Sequence, residues 1–393
     1  METSPKRIYY VDWLRVLAVL ALFPFHAGQI YNDEVAFYVK DTISNPIIKG
    51  INSFIYIWHM PFLMFLAGIG SYYALRFRTG KQYLLERFKR LFIPLVLGTM
   101  VLIPPLTYIR MFGNPNKVWP KGFSFNAIPG FDKSYFEYYP DFFNGIYPNG
   151  NFEWGHLWFL AYLFTFSIIA LPIFLYLKSE KGKWVIEWLA KVVMKSPRIF
   201  LFFIPIALIE VFLRQAYPNM QNLISDWANF LMFITVFIYG FIMMSDEKFG
   251  EAIDRHWKAA MIIGLLIVIA LSAVFAGRIQ TGLNEDIFYI VEMILRGISI
   301  WFCIIGFLGF GKRFLNRGGN FIKYASKAAL PVYIIHLPIV AIVGFYVIKF
   351  GLPVMIQYLA IVTVSLISSV VLYEVVVRRF DFVRIVFGLK KRV

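Results

Sequence analysis

Ten apolar runs of about 20 residues recur along this chain, at 8–30, 52–75, 91–112, 155–177, 199–217, 227–245, 258–277, 287–310, 329–350 and 354–377. That is the length a helix needs to cross ~30 Å of hydrocarbon. In lipid, backbone N–H and C=O groups must be satisfied within the protein, so such runs fold as helices. The expectation is an all-α, polytopic transmembrane bundle of about ten spans. Only 16% of the 393 residues are charged and 59% are hydrophobic, too little charge for a soluble protein of this size. The first run is too long for the core of a cleavable signal peptide, and no small-residue cleavage site follows it. The single cysteine, Cys303, excludes a disulfide framework and a multi-thiolate metal site, and its apolar helix makes it a packing residue.

A net charge of +16 would suit a nucleic-acid partner, but its distribution points elsewhere. With both termini cytoplasmic, 28 of the 39 Lys and Arg residues fall inside, nine outside, and Arg15 and Arg296 within spans. This is the positive-inside bias of a protein in a cytoplasmic (inner) membrane. The outer loop 113–153 is rich in aromatics, Pro, Gly and Asn. Loops longer than a connection requires are often functional, and these rings fit sugar stacking as well as interfacial anchoring. A basic cytoplasmic tail covers 378–393. Without a tandem repeat, soluble catalytic domain or low-complexity tail, 1–393 reads as one membrane domain.

Chemistry concentrates first in Asp12-Trp-Leu-Arg15 and Pro24-Phe-His26. At roughly 100° per residue, Arg15 and His26 share one helix face, about 16 Å apart along the axis. Titratable groups inside a membrane are costly and normally face a protein interior or a wet cavity. Asp12 and Arg15 are spaced to pair, and Pro24 should bend the helix just before His26. A neutral imidazole can take a proton from a hydroxyl and return it. The alternative is a structural histidine bonded between helices.

A second group is Glu86-Arg87-Phe-Lys89-Arg90-Leu-Phe-Ile-Pro94. Arg87 and Arg90 share a helix face, and guanidinium groups bind phosphates through paired donors. An ordinary basic flank on lipid headgroups would look the same. His59 and His156 lie near span ends beside Trp58, Trp154 and Trp158, where interfacial anchoring competes with a substrate site. His336 lies deeper, and His256 falls in a loop. Glu210, Glu292, Arg296 and Glu374 are the other intramembrane charges. Glu292 is spaced to pair with Arg296, and Glu374 with Arg378. No HExxH, CxxC, P-loop or GxSxG pattern occurs, and five dispersed histidines argue against a metal site.

Together these motifs resemble the integral-membrane acyltransferase-3 family, most closely its glucan-modifying branch, the glucan biosynthesis protein C type. The resemblance rests on Tyr10-Val-Asp12-Trp-Leu-Arg15 through His26, Met60-Pro61 through Gly68, and Glu86 through Pro94. It continues in His156-Leu-Trp158-Phe-Leu, Val332-Tyr333-Ile-Ile-His336-Leu-Pro338, and Tyr373-Glu374 with the basic tail. It implies an O-acyltransferase with no resident cofactor, taking acyl-CoA from the cytoplasm and acylating a hydroxyl of an extracytoplasmic glycan. Succinyl is the expectation of the branch and acetyl the commoner chemistry of the family. Carried over, His26, Arg15 and Asp12 form the catalytic group, with His26 as general base or, in a variant mechanism, as a covalent acyl carrier. Arg87, Lys89 and Arg90 would hold the CoA phosphates, although an RxR spacing common in other branches is RxxR here. His59, His156, Trp158, His336, Arg296 and Glu374 are the candidate substrate-binding residues, Arg296 as partner for a succinyl carboxylate. The rival readings are a transporter or flippase for a glycan or lipid-linked sugar, which would need no CoA, and a non-catalytic scaffold.

Overall fold

The computed structural model describes residues 7–113, 131–147, 150–277 and 282–392. Seventeen α-helices follow in order: α1 Tyr9–Leu20, α2 Leu22–Gln29, α3 Pro46–Arg76, α4 Gly80–Arg87, α5 Ile93–Val101, α6 Ile103–Gly113, α7 Tyr135–Tyr138, α8 Trp158–Ile169 and α9 Leu171–Lys178. After them come α10 Glu180–Met194, α11 Phe203–Leu213, α12 Trp227–Met243, α13 Glu247–Phe275, α14 Glu285–Phe314, α15 Asn320–Val347, α16 Val354–Leu372 and α17 Asp381–Val386. Among the described residues β-structure is limited to one isolated bridge, Ile146 with Phe152. The fold is all-α, as its apolar periodicity requires.

Among the described residues seven helices are long and apolar enough to cross a membrane, and eight if the pair Gly155–Ile169 and Leu171–Lys178, bent by 46°, counts as one span. The protein is therefore a multi-pass membrane protein with fewer full-length spans than the ten apolar runs predict. The two shortfalls have local causes. The run 199–217 begins as a 3-10 turn over Arg198–Phe202 and leaves α11 only 11 residues. The helix at 227–245 is 17 residues, about 25 Å at 1.5 Å per residue. Within the predicted outer loop, 114–130 and 148–149 lie outside the described residues.

Proline explains the two interruptions that shape the site. Pro24 lacks the N–H that would bond to Leu20, and its ring crowds that carbonyl; the helix breaks at Ala21, between α1 and α2. Pro94 does the same to Arg90, and the chain passes through a π-turn over Phe88–Phe92, a form often found at functional sites. Gly388, at φ +71°, packs its Cα against that Arg90 carbonyl, where an added Cβ would sit 2.8 Å from the oxygen. The C-terminal segment is thereby docked on α5.

Within the bundle α3 packs on α12, α14 lies between α11 and α13, and α15 touches α1, α2 and α16. The α3–α12 approach is backbone to backbone: a Cβ on Gly68 would lie 2.0 Å from the Phe237 carbonyl oxygen, and one on Gly240 2.0 Å from that of Phe65. Gly297 likewise lets α14 meet α11, since its Cβ would fall 2.6 Å from Ala207 Cα. That contact corrects a predicted pairing. Arg296 forms its ion pair with the fully buried Glu210 of α11 at 3.3 Å rather than with Glu292, and Arg214 closes on the same carboxylate at 2.6 Å. The expected Asp12–Arg15 and Glu374–Arg378 pairs do form, at 3.5 and 2.8 Å.

Candidate active site

A cavity of about 850 Å³ lies between α1, the second half of α3, α4 with its π-turn, α8 and the first half of α15. Its charged lining is uneven: Arg7, Arg15, Arg78, Arg87 and Arg90 face Asp12 and Glu86. Five guanidinium groups against two carboxylates leave the lining with an excess of positive charge, whose field a low-dielectric wall strengthens. The rest of the lining is apolar, including Val19, Leu63, Phe159 and Leu160, and it includes Tyr333.

The two carboxylates organise the cations. Asp12 accepts from Arg7 Nε at 2.5 Å, from Arg15 Nη1 at 3.5 Å and from the Ser326 hydroxyl at 2.8 Å. This ties α1 to α15 as well as holding Arg15. Glu86 bridges Arg78 at 3.1 Å and Arg90 at 3.5 Å. Arg87 pairs with neither carboxylate. Its Nη2 donates to Ser71 Oγ at 3.2 Å, that hydroxyl is 3.0 Å from Tyr83 OH, and the guanidinium sits 4.8 Å from the Tyr83 ring centroid. Ser71 and Tyr83 are wholly buried, so the socket is preset, while Arg87 Nε has no partner among the described residues. Ser71→Ala is expected to weaken binding of a phosphorylated ligand by about 3- to 10-fold, the worth of one ordinary hydrogen bond. Calorimetric titration would show it; an unchanged affinity would mean that Arg87 reaches its position without Ser71.

Beside the cavity, histidines from three parts of the chain converge. The rings of His26 and His336 have centroids 5.1 Å apart, and those of His156 and His336 also 5.1 Å. His26 stacks on Phe37 at 6.0 Å. His156 Nε2–H donates to the Ile334 carbonyl at 2.8 Å, and His336 Nδ1–H donates to the carbonyl of Tyr333. These bonds fix the tautomers, leaving His156 Nδ1 and His336 Nε2 as lone-pair nitrogens. Those two atoms and His26 Nδ1 are buried without a partner among the described residues. Tyr333 joins the two regions: it lines the cavity, its hydroxyl donates to the His156 carbonyl, and its ring lies 5.7 Å from His156 and 5.8 Å from His336. A cationic cavity beside basic nitrogens suits an anionic ligand whose reactive end meets a proton acceptor.

The other candidates do not line the cavity. Lys89 is exposed on the π-turn and does not line the cavity. His59 donates Nε2–H to the Ala18 carbonyl at 2.6 Å, bridging α3 to α1. Trp158 stacks on Phe233 at 5.4 Å in the α8–α12 contact. Arg296 is held by Glu210, and Glu374, half-buried, pairs with Arg378. Sequence reasoning did not single out Arg78, Ser71, Tyr83, Ser326 or Tyr333 as site residues. Arg78, nine residues before Arg87 on the same basic side, and Tyr333, three residues before His336 in the motif that carries it, had signals that could have drawn attention. No group of three or more His, Cys, Asp or Glu residues among those described is arranged to hold a metal ion.

Comparison with known proteins adds to this geometry. A family model described as an acyltransferase domain matches residues 8–374. The glucans biosynthesis protein C of Shigella dysenteriae serotype 1 is 24% identical over 352 residues, 87% of this chain and 84% of the relative. That of Escherichia coli K12 is 23% identical over the same shares. That of Salmonella schwarzengrund is 22% identical over 390 residues, 96% of this chain and 94% of the relative. No solved structure matches.

Proposed function

This chain belongs to the acyltransferase-domain family, and on that premise we propose that it moves a short acyl group, succinyl or acetyl, from cytoplasmic acyl-CoA to a hydroxyl of an extracytoplasmic glycan. The relatives' name makes a glucan the first acceptor to try. The observation that carries this reading is the pairing of a five-arginine cavity with unpartnered histidine nitrogens beyond Tyr333. A CoA thioester has the matching polarity: phosphates at one end, an uncharged reactive carbonyl at the other. Arg87 and Arg90 take the phosphates, and Arg15, held by Asp12, orients the chain behind them.

In the proposed step the imidazole of His26 removes the proton of the acceptor hydroxyl as its oxygen attacks the thioester carbonyl. The carbon–sulfur bond then breaks, the thiolate takes the proton from the imidazolium, and acylated glycan and CoA leave. Residues 1–393 act as one membrane domain, with ten crossings once α11 and α12 are counted. Both termini lie in the cytoplasm and the protein sits in the inner membrane, an orientation supported by the distribution of Lys and Arg.

The test is transfer by purified protein in nanodiscs. With acyl-CoA and glucan supplied, free CoA thiol is expected to appear together with acylated glucan in the mass spectrum. Glycan movement across a sealed vesicle wall without CoA would instead identify a transporter.

A further inference from the structure

Helix α10 has a face that the bundle does not use. Gly182, Ile186, Ala190 and Val193 form its buried stripe, and the helix packs on α9 and α13. Trp184 and Trp188 are 61% and 56% exposed, and Lys181, Lys191 and Lys195 are exposed beside them. At roughly 100° per residue all five lie within about 45° of the direction opposite the stripe. No ion pair engages those three lysines among the described residues. The flanks differ as well: half-buried Val185, Leu189 and Val192 occupy one side, and Glu180, Lys183 and Glu187 the other.

We propose that α10 lies along the inner membrane surface, with Trp184 and Trp188 at headgroup depth and Lys181, Lys191 and Lys195 on the phosphates of anionic phospholipids. The tether favours this occupant over a soluble protein. One end of α10 continues from the bent span that finishes at Lys178, and the other leads into the apolar run at 199–217, so the helix is held at the bilayer boundary. Indole rings prefer that depth. A helix with basic and aromatic residues on its free face binds in the interfacial plane, and lysines there are drawn to acidic lipid. The valine–leucine flank then points toward the acyl chains and the glutamate flank toward water. The membrane contact stands apart from catalysis; only its inner location rests on the proposed orientation.

The full-length protein tests this in vesicles of phosphatidylcholine with and without phosphatidylglycerol. In a Cys303→Ala background, Trp188→Cys and Glu187→Cys each carry a spin label. The expected result is a ratio of oxygen to nickel-chelate relaxation several-fold higher at 188 than at 187. Adding phosphatidylglycerol should raise that ratio, and replacing Lys181, Lys191 and Lys195 with Gln should remove the increase. Equal nickel access at the two positions would overturn the membrane contact and leave the face to water or a protein partner. A ratio at 188 insensitive to phosphatidylglycerol would overturn the anionic-headgroup assignment.

Discussion

His26→Gln is expected to lower acyl transfer by about 10²- to 10⁴-fold, the range general-base catalysis supplies, while acyl-CoA still binds. The choice of residue matters. His26 Nδ1 makes no hydrogen bond to a described residue, and the ring meets Phe25, Phe37 and His336. Its removal therefore costs packing rather than a buried hydrogen bond, and the thermal midpoint should move little. His156→Gln is the contrast, because it disturbs the Nε2–H bond to Ile334 at 2.8 Å and should lower stability along with rate. Glucan-dependent CoA release and thermal unfolding, measured on both variants, separate chemistry from folding. Wild-type transfer in His26→Gln would sink the mechanism. A burst of CoA release from wild type before any glucan is added would replace direct transfer with an acyl-histidine intermediate.

What was legible in the sequence followed the range of the interaction. Asp12 with Arg15 and Glu374 with Arg378 are helix-local pairs, and both form. Arg87 and Arg90 both line the cavity because one short stretch of helix carries them. The gathering of His26, His156 and His336 needed α2, the 3-10 turn Gly155–Leu157 and α15 to meet, and spacing along the chain says nothing about that. Arg296 shows the opposite failure. A favourable local partner, Glu292, was present, yet Gly297 lets α11 approach so closely that Glu210 takes the charge. Lys89 is exposed and off the cavity, and that too was helix-local: at roughly 100° per residue it lies about 160° from Arg87 and about 100° from Arg90. Hydropathy does not register the 3-10 turn before α11, so the run 199–217 is shorter as a helix than as apolar sequence.

Arg87→Ala and Arg90→Ala should separate binding of the donor's phosphates from the chemistry, and unequally. A hydrogen bond to a charged group is worth about 1.5–3 kcal/mol, or roughly 10- to 100-fold in KM at 1.4 kcal/mol per decade. Arg87 belongs at the upper end: Ser71 and the Tyr83 ring hold it, and no carboxylate competes for it. Arg90 belongs at the lower end, since its side chain is 48% exposed and already shared with Glu86, and solvent screens such groups. Lys89→Ala should stay near wild type. In each variant kcat should hold, because phosphates far from the carbonyl are bound equally in ground and transition states. The decisive comparison uses acyl-pantetheine, which keeps the thioester and lacks the nucleotide. On that donor Arg87→Ala and Arg90→Ala should match wild type, whereas His26→Gln should remain inactive. If the arginine variants lost activity equally on both donors, their role would lie with the reacting end or with the fold, and the phosphate assignment would be wrong.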